Sequence, residues 1–461
     1  MKFNQFKLTF FLFSIILLSS CLGTTSSVTT SSDPSFVSLT FAANDSIPYL
    51  STAKFTLDAD GMTIVNVDSL PYKTRVDSVY PTFSFTSTAG AKFYFPLSGY
   101  KYKKDSAIVT GKDTIDFRQI VRIKNYATDA KTYKNYYVKV NVHKVDPEVY
   151  VWNKVPMDLN SGNATSQKTI VLNDSTMFYY FNDGTNVTSY KSLDGSSWAG
   201  TTVTGLPVNT PLGDMTQFNR KLYLTQDGFN IYSSSDGLSW SKSTVSVFTF
   251  KSLLFTLNGQ LWAVVQLVSD SSLHFAYSAD GNAWNVTGTI PDNFPVRDFA
   301  SVSFPSITGK TGAVVLGGFS PTGAVLHNSW STEDGLYWVD FSSENHTLDT
   351  LAIGASVISY DNKLLVFGRR TDNGMTHYKI SKDQGLSWKT ADTLRNRLPS
   401  GYLPRSYQTA VVFKPRTYNT LDSKDVITES NRIFIIGGKS GSTVYSDIWT
   451  GKLNRKSFLI Q

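Results

Sequence analysis

Arginines and carboxylates lie in several segments between predicted strands, where they could bind an acidic ligand. The arginine guanidinium is a planar fork of N–H donors that fits a carboxylate or a phosphate. Pro295-Val296-Arg297-Asp298-Phe299 and Pro404-Arg405-Ser406-Tyr407 share a layout in which an arginine begins a strand. The alternative is that such arginines bond to the backbone of a neighbouring repeat. Residue type and loop position predict ligand-binding roles for Asp214, Arg297, Asp298, Arg369, Arg370, Arg405 and Tyr407.

Patterns typical of metal sites, cofactor sites and activated nucleophiles do not occur in the sequence. The five histidines are scattered, with no His-x-x-x-His pair, and there is no Gly-x-Ser-x-Gly elbow. Cys21 is the one cysteine of the chain, which leaves no thiol for a disulfide or a zinc ligand in the folded part. We therefore predict no metal and no cofactor.

A short motif that ends in tryptophan occurs five times, and its spacing predicts the repeated β unit that positions these loops. Its fullest copy is Ser381-Lys382-Asp383-Gln384-Gly385-Leu386-Ser387-Trp388, and the copies follow one another at steps of 42 to 54 residues. Repeats of about 40 to 50 residues are typical of β-propeller blades. Every copy contains an aspartate and ends in a tryptophan. These pairs are Asp194 and Trp198, Asp236 and Trp240, Asp280 and Trp284, Asp334 and Trp338, and Asp383 and Trp388.

These motifs resemble Asp-boxes, the hairpin repeats of sialidases and many other propellers. The resemblance implies that the aspartates and tryptophans are structural and lie on the rim away from the ligand site. A sixth unit, with Ile433 to Gly438 followed by Tyr445 to Trp449, resembles a kelch repeat. We therefore predict an all-β fold with a six-bladed propeller over residues 148–461. The strand from Val149 to Asn153 is expected to close it by pairing with Tyr445 to Leu453, which seals an open sheet edge.

The same resemblance raises a sialidase hypothesis, which the sequence does not favour. Sialidases resemble one another in an arginine ahead of the first box, and this propeller has none before Asp194. The chain also has just four glutamates, one inside a box at Glu333 and one at the domain junction at Glu148. A glycoside hydrolase or lyase that uses loop aspartates stays open as an alternative.

The first residues predict export and a lipid anchor. Lys2 and Lys7 precede an apolar run from Leu8 to Leu18, which is too short to span a bilayer comfortably and is typical of a signal peptide. Leu18-Ser19-Ser20-Cys21 resembles a bacterial lipobox, which implies removal of residues 1–20 and lipidation of Cys21. The Ser/Thr-rich residues 21–35 then form a flexible tether.

Residues 36–145 predict a separate small β domain. Runs such as Tyr137 to Val142 alternate at period two, and signals such as Asp60-Gly61 mark turns between them. About 110 residues of short strands favour an immunoglobulin-like sandwich. The segment from Asn66 to Tyr72 resembles N-terminal domains of uncharacterised bacterial lipoproteins that carry propellers, and a spacer role is the simplest interpretation.

The charge pattern excludes one class of partner. The formal net charge is +7, but the lysines alternate with other residues and form no long basic block, so we predict no nucleic-acid partner. The leading hypothesis is a non-catalytic outer-membrane lipoprotein, on the periplasmic side or the cell surface, whose propeller binds a glycan or a protein partner. The alternatives are the glycoside hydrolase or lyase and a scaffold in envelope assembly.

Overall fold

The computed structural model describes residues 30–47, 49–97, 101–105, 110–146, 149–159, 162–226, 228–341, 353–368, 378–391, 396–418, 426–428 and 430–454. They form two compact units, one up to residue 146 and one from residue 149. Both are built from strands, and the described part of the chain contains no helix that is long and apolar enough to cross a membrane.

The first unit consists of two sheets. A short 3-10 turn, Leu50–Thr52, lies between its first two strands. The strands are β1 (Phe36–Phe41), β2 (Phe55–Leu57), β3 (Thr63–Asn66), β4 (Pro81–Phe85), β5 (Gly90–Leu97), β6 (Lys101–Asp105), β7 (Val121–Tyr126) and β8 (Tyr133–Lys139). β1 pairs with β4, and the other six form one sheet in the order β2-β3-β8-β7-β5-β6, in which β3 and β8 run parallel.

One apolar core lies between these sheets. β7 alternates buried and half-buried residues, so that Val121 and Ile123 face inwards beside Tyr136 of β8. Phe41 of β1 and Phe83 of β4 complete the core from the smaller sheet. The period-two alternation of the sequence thus produces two sheets on one core, with their strands divided six and two.

The second unit is a β-propeller of six four-stranded sheets, and β9 (Tyr150–Asp158) is its first strand. The next three blades in chain order are β10 (Ser166–Leu172), β11 (Thr176–Asn182), β12 (Val187–Ser192) and β13 (Ala199–Thr202); β14 (Thr216–Phe218), β15 (Lys221–Thr225), β16 (Asn230–Ser234) and β17 (Ser241–Thr244); and β18 (Phe248–Leu257), β19 (Gln260–Leu267), β20 (Leu273–Ser278) and β21 (Asn285–Thr289).

The remaining blades follow the same antiparallel order. They are β22 (Ala300–Pro305), β23 (Thr311–Leu316), β24 (Ser329–Thr332) and β25 (Val339–Asp340); then β26 (Ser356–Tyr360), β27 (Lys363–Phe367), β28 (Tyr378–Ser381) and β29 (Lys389–Thr390). The sixth contains β30 (Thr409–Phe413), β33 (Arg432–Ile436) and β36 (Asp447–Leu453), and two small hairpins extend from it, β31 (Arg416–Tyr418) with β32 (Val426–Thr428), and β34 (Lys439–Ser440) with β35 (Thr443–Val444).

The ring closes as the sequence predicts. β9 pairs antiparallel with β36, with Tyr150 opposite Leu453 and Asn153 opposite Thr450, so the first strand of the unit is the outermost strand of the last blade. β10 and β30, the innermost strands of the first and sixth blades, are also in contact. Six blades therefore surround one axis, and the β36 edge is covered.

Five turns of the same design join the third and fourth strands of blades one to five. In the first, Gly195 N donates to Ser192 Oγ (2.8 Å), and Asp194 Oδ1 accepts the N–H groups of Ser196 and Ser197 (2.8 Å each). The hydroxyl residues and aspartates of the next three turns repeat these bonds at Ser234 and Asp236, Ser278 and Asp280, and Thr332 and Asp334. In the fifth turn, Gly385 N donates to Ser381 Oγ, and Asp383 Oδ1 accepts one N–H among the described residues, that of Ser387. We call these five loops the Asp-Gly turns.

The tryptophan after each Asp-Gly turn packs in the apolar layer between its blade and the preceding one. They are Trp198, Trp240, Trp284, Trp338 and Trp388. The sixth blade has no such turn, and Trp152 of β9 lies in the layer between the fifth and sixth blades, in edge contact with Phe367 and Tyr378 (centroids 6.0 and 6.3 Å). The closing strand thus supplies the aromatic side chain that the missing turn would have provided.

Candidate functional site

A cavity of about 1200 Å³ runs along the propeller axis. Its wall is the innermost strand of every blade, because antiparallel four-stranded sheets arranged around an axis present their first strands to the centre. The described basic and acidic residues that line it are Lys168, Asp214, Lys251, Arg297, Asp298 and Lys439. Four basic side chains against two carboxylates favour an anionic ligand.

One end of this cavity collects side chains from equivalent positions of several blades. Asp214, Asp298, Gly354 and Tyr407 each lie two residues ahead of the first strand of their blade. Because strands alternate in direction, these positions lie at the end opposite the Asp-Gly turns. We call Arg297, Asp298, Gly354, Tyr407 and Lys439 the channel mouth.

Asp298 and Tyr407 are connected through the backbone of the blade between them. Gly354 N donates to Asp298 O (3.2 Å), and Tyr407 N donates to Gly354 O (2.7 Å). Both Asp298 (φ 55°) and Tyr407 (φ 57°) adopt the left-handed backbone conformation, which is costly for residues with a Cβ. Blades four to six therefore hold the two side chains in fixed places beside the cavity.

Each cation of the channel mouth rests on an aromatic ring. The Arg297 guanidinium lies 3.9 Å from the centroid of Phe319, and its Nη1 is 3.2 Å from Asp298 Oδ2. Lys439 Nζ lies 4.4 Å from the centroid of Tyr407. Burial raises the pKa of Tyr407, and the charge of Asp298 raises it further, so the phenol stays protonated and can donate a hydrogen bond.

Lys168 and Asp214 form a second charged group on the cavity wall. Lys168 Nζ donates to Gly213 O (2.6 Å), and Asp214 Oδ2 accepts the N–H of Leu253 (3.0 Å), so each side chain reaches the next blade. Burial raises the pKa of Asp214 to about 7, although the Leu253 N–H and the charge of Lys168 oppose this. Burial lowers the pKa of Lys168. Asp214 is thus able to exchange a proton near neutral pH.

Arg405 does not reach the cavity, and its prediction as a ligand-binding residue is wrong. The residue is 1% exposed, forms a bidentate ion pair with Asp447, and donates from Nε to Leu403 O (3.0 Å) and from Nη1 to Gly437 O (3.2 Å). Its guanidinium also lies 4.4 Å from the ring centroid of Tyr402 and 3.9 Å from that of Tyr445. The guanidinium of Arg405 therefore makes its hydrogen bonds and its ion pair within the sixth blade.

The reason is a one-residue difference in register. Arg297 bridges Phe319 and Ser406 bridges Lys439, and in each case the partner directly follows a Gly-Gly pair. Ser406, and not Arg405, is therefore the equivalent of Arg297. Because neighbouring residues of an extended chain point to opposite sides, a shift of one position turns the side chain away.

The other predicted residues divide into two groups. Asp214, Arg297, Asp298 and Tyr407 line the one cavity, as described above. Arg369, Arg370 and the lipidation site Cys21 lie outside the described residues, so their roles stay predictions.

Several lining residues were not predicted from the sequence. Gln408 is 3% exposed and Thr169 1%, and neither the amide atoms of Gln408 nor Thr169 Oγ1 has a hydrogen-bond partner in the described part of the chain. Ser252 Oγ on the third blade is likewise buried and has no hydrogen-bond partner among the described residues. A signal for Lys168 and Thr169 existed, because four of the seven residues of their innermost strand (Ser166–Leu172) are polar, and polar residues in such a strand indicate a wall that faces water. The described residues contain no group of three or more His, Cys, Asp or Glu side chains that could hold a metal ion.

Two family models match the chain. The DUF6242 beta propeller domain matches residues 146–461, and the domain of unknown function (DUF6242) N-terminal domain matches residues 22–140. No curated protein matches. The first match covers more than half of the chain, and the boundary between the two models falls near the boundary between the two compact units.

Solved propeller structures show weak likeness to the chain. The endo-arabinase from Bacteroides thetaiotaomicron VPI-5482 is 14% identical over 52% of this chain and 96% of its own, with a TM-score of 0.33. The Hadza microbial sialidase Hz136 is 12% identical over 79% and 89%, with a TM-score of 0.39. YCF48 bound to D1 peptide is 13% identical over 69% and 98%, with a TM-score of 0.34. These values support no inference about a ligand or an activity.

Proposed function

The chain belongs to the DUF6242 family, and from that premise we propose that it is a lipid-anchored protein of the cell envelope whose propeller binds an acidic glycan at the channel mouth. Cys21, within a lipobox-like segment, is the anchor in this proposal, in the outer membrane on its periplasmic side or at the cell surface. The first unit acts as an immunoglobulin-like spacer, and the Asp-Gly turns are Asp-boxes with a structural role.

The observation that carries the proposal is the convergence of Arg297, Asp298 and Tyr407 with Lys439 around one cavity. A glycan with a carboxylate needs a cationic fork for its charge, and it needs hydrogen-bond donors and acceptors for its hydroxyls. Arg297 and Lys439 supply the charge, and Asp298 and the Tyr407 hydroxyl supply the hydrogen bonds.

The mouth is also preorganised, which supports binding. The stacking of Arg297 on Phe319 and of Lys439 on Tyr407 limits the rotamers of both long side chains before a ligand arrives. Less side-chain entropy is then lost on binding. The unpartnered Gln408 amide, close behind the mouth among the described residues, leaves polar capacity for water or a sugar hydroxyl.

The experiment is a binding screen of the chain from residue 30 to residue 461 against acidic and neutral monosaccharides and disaccharides, which are small enough to enter the cavity. We expect saturable binding of acidic glycans, weakened at least tenfold by Arg297→Met with Lys439→Met. The matched control is Lys242→Met with Lys382→Met, which removes the same charge from an outer strand and from an Asp-Gly turn. Equal binding by the two double variants would refute the channel mouth as the site.

Asp214 favours a second candidate, a glycoside hydrolase. A carboxyl group with a pKa of about 7 is still partly protonated at neutral pH and can act as a general acid. In that case the chain should release new reducing ends from the glycan that it binds. Asp214→Asn should abolish the release and leave binding within about twofold, whereas a binding protein would release none with either residue.

A further inference from the structure

The outer face of the six-stranded sheet in the first unit carries a separate cluster of cations and tyrosines. We call the set Lys92, Tyr94, Arg122, Lys124, Tyr126 and Tyr133 the basic face. Strand alternation puts them together: Val121, Ile123 and Asn125 of β7 are buried, and the residues between them point outwards. The described side chains of β2, β3, β5, β7 and β8 include no carboxylate.

The two lysines of this face are direct cross-strand neighbours. Lys92 of β5 pairs with Lys124 of β7, and both ammonium groups lie over the ring of Tyr126, at 5.2 and 4.9 Å from its centroid. Like charges directly opposite each other destabilise a sheet. The pair costs stability, and no described carboxylate lies beside it. We therefore expect an anion from outside the domain to bind there.

Tyrosine rings hold the cations in place. Lys124 Nζ also lies 3.5 Å from the centroid of Tyr133, which is itself 50% exposed and packs against Tyr126. Arg122 lies 4.8 Å from the centroid of Tyr94. Contacts of this kind limit the rotamers of the three cations and place them beside phenol hydroxyls.

From these contacts we propose that the basic face is a second binding site, and that its ligand is an acidic polysaccharide chain lying across β5, β7 and β8. The carboxylates of the polymer would pair with Lys92, Arg122 and Lys124, and its hydroxyls would bond to the tyrosine hydroxyls. This site is distinct from the channel mouth and does not depend on the function proposed there.

The same contacts make other partners less suitable. Bases of a single-stranded nucleic acid stack on open aromatic faces, and here cations occupy faces of Tyr94, Tyr126 and Tyr133. A membrane surface or a protein interface would use apolar anchors. Val65 is the one aliphatic residue among the described outward side chains of β3 and β7, so these strands offer few apolar anchors.

The test measures binding of polygalacturonate, a polymer of uronic acid, to the chain from residue 30 to residue 461. Arg297→Met with Lys439→Met is kept in the background so that the channel mouth cannot contribute. We expect salt-sensitive binding, with no binding of uncharged dextran, and a loss of at least tenfold in affinity on Lys92→Gln with Lys124→Gln. Lys112→Gln with Lys131→Gln, two exposed turn lysines of the same unit, should stay within twofold.

Thermal unfolding without ligand separates a ligand site from a structural one. Because the two ammonium groups repel each other, Lys92→Gln with Lys124→Gln should unfold at the same or a higher temperature than the parent. A lower temperature would overturn the proposal, as would unchanged polygalacturonate binding. Tighter binding of oligo(dT) or of phosphatidylglycerol vesicles than of polygalacturonate, at the same salt, would assign the face to a nucleic acid or a membrane and overturn it too.

Discussion

The ring of Phe434 in the sixth blade lies against Gly195 in the Asp-Gly turn of the first blade, where any Cβ would overlap it. The other four Asp-Gly turns make the same kind of contact, each with the second strand of the preceding blade. These pairs are Phe178 with Gly237, Tyr223 with Gly281, Trp262 with Gly335 and Val314 with Gly385. In the first four turns the glycine is therefore required by the neighbouring blade as well as by its own left-handed backbone, whereas at Gly385 the contact with Val314 is looser, at 3.0 Å.

Gly195→Ala should destabilise the propeller more than a glycine substitution with the same backbone strain. Gly259 is the matched control, because its φ of 74° is close to that of Gly195 (75°) and no described atom lies within 4 Å of the place that an alanine methyl would take. In both variants, the left-handed conformation of the new alanine should lower the free energy of unfolding by about 1–2 kcal/mol. Gly195→Ala should lose about 1–3 kcal/mol more through overpacking. Urea unfolding of both variants measures the difference, and equal losses would contradict the packing role.

The closing strand should be essential to a soluble ring. Tyr150→Ala removes a buried ring from the layer between the fifth and sixth blades and should cost about 3–5 kcal/mol. Val151→Ala, which alters a side chain that is 41% exposed, should cost under about 1 kcal/mol. A chain that starts at residue 162 and lacks β9 should self-associate through the bare edge of β36, whereas one that starts at residue 149 stays monomeric. Light scattering distinguishes the two masses, and a monomer from both would contradict the role of β9.

The sequence predicted the architecture because its signals are local and repeated. Each Asp-Gly turn contains its hydroxyl, its aspartate and its glycine within four or five residues, so one motif counts one blade. The closing strand was also predictable, since Tyr150 and Trp152 are aromatic residues in a short extended run next to the domain boundary. Signals of this kind can be recognised in the sequence without knowing which strand is the pairing partner.

The candidate site was predicted less completely, because it depends on register between distant strands. Arg297 and Arg405 look alike in sequence, and it is the bridges to Phe319 and Lys439 that show them one position apart. Lys168 belongs to the site through its contact with Gly213 of the next blade, which no local pattern reports. The basic face likewise exists only through the pairing of Lys92 with Lys124 across two strands.

Arg405 and Arg297 should respond in opposite ways to the same substitution. Arg405→Met leaves the carboxylate of Asp447 without its buried partner and should lower the free energy of unfolding by about 3–5 kcal/mol. Arg297 is exposed, so Arg297→Met should change it by under about 1 kcal/mol and weaken glycan binding instead. Denaturant unfolding and a binding titration on both variants check this, and a stable Arg405→Met protein with impaired binding would reverse the two assignments.

The pKa of Asp214 predicts a loss of stability as the pH rises. Its folded-state pKa of about 7 lies above the ordinary value of about 4 for an unfolded aspartate. Between these values the folded state keeps a proton that the unfolded state has released, so the contribution of Asp214 is present below pH about 4 and is lost as the pH rises through about 7. Asp214→Asn carries no charge in either state, so its free energy of unfolding should fall less than that of the parent between pH 4.5 and 8.

Asp236 provides the opposite case in the same protein. The N–H groups of Ser239 and Leu238 hold its pKa at about 2, so its contribution is present above pH about 4 and is lost as the pH falls towards 2. Asp236→Asn keeps an oxygen acceptor for both N–H groups and should flatten the acid side of the profile alone. Urea unfolding from pH 2.5 to 8 on the parent and both variants measures the two limbs. If Asp214→Asn left the limb between pH 4.5 and 8 unchanged, Asp214 would be ionised throughout, and its role as a general acid would fail with it.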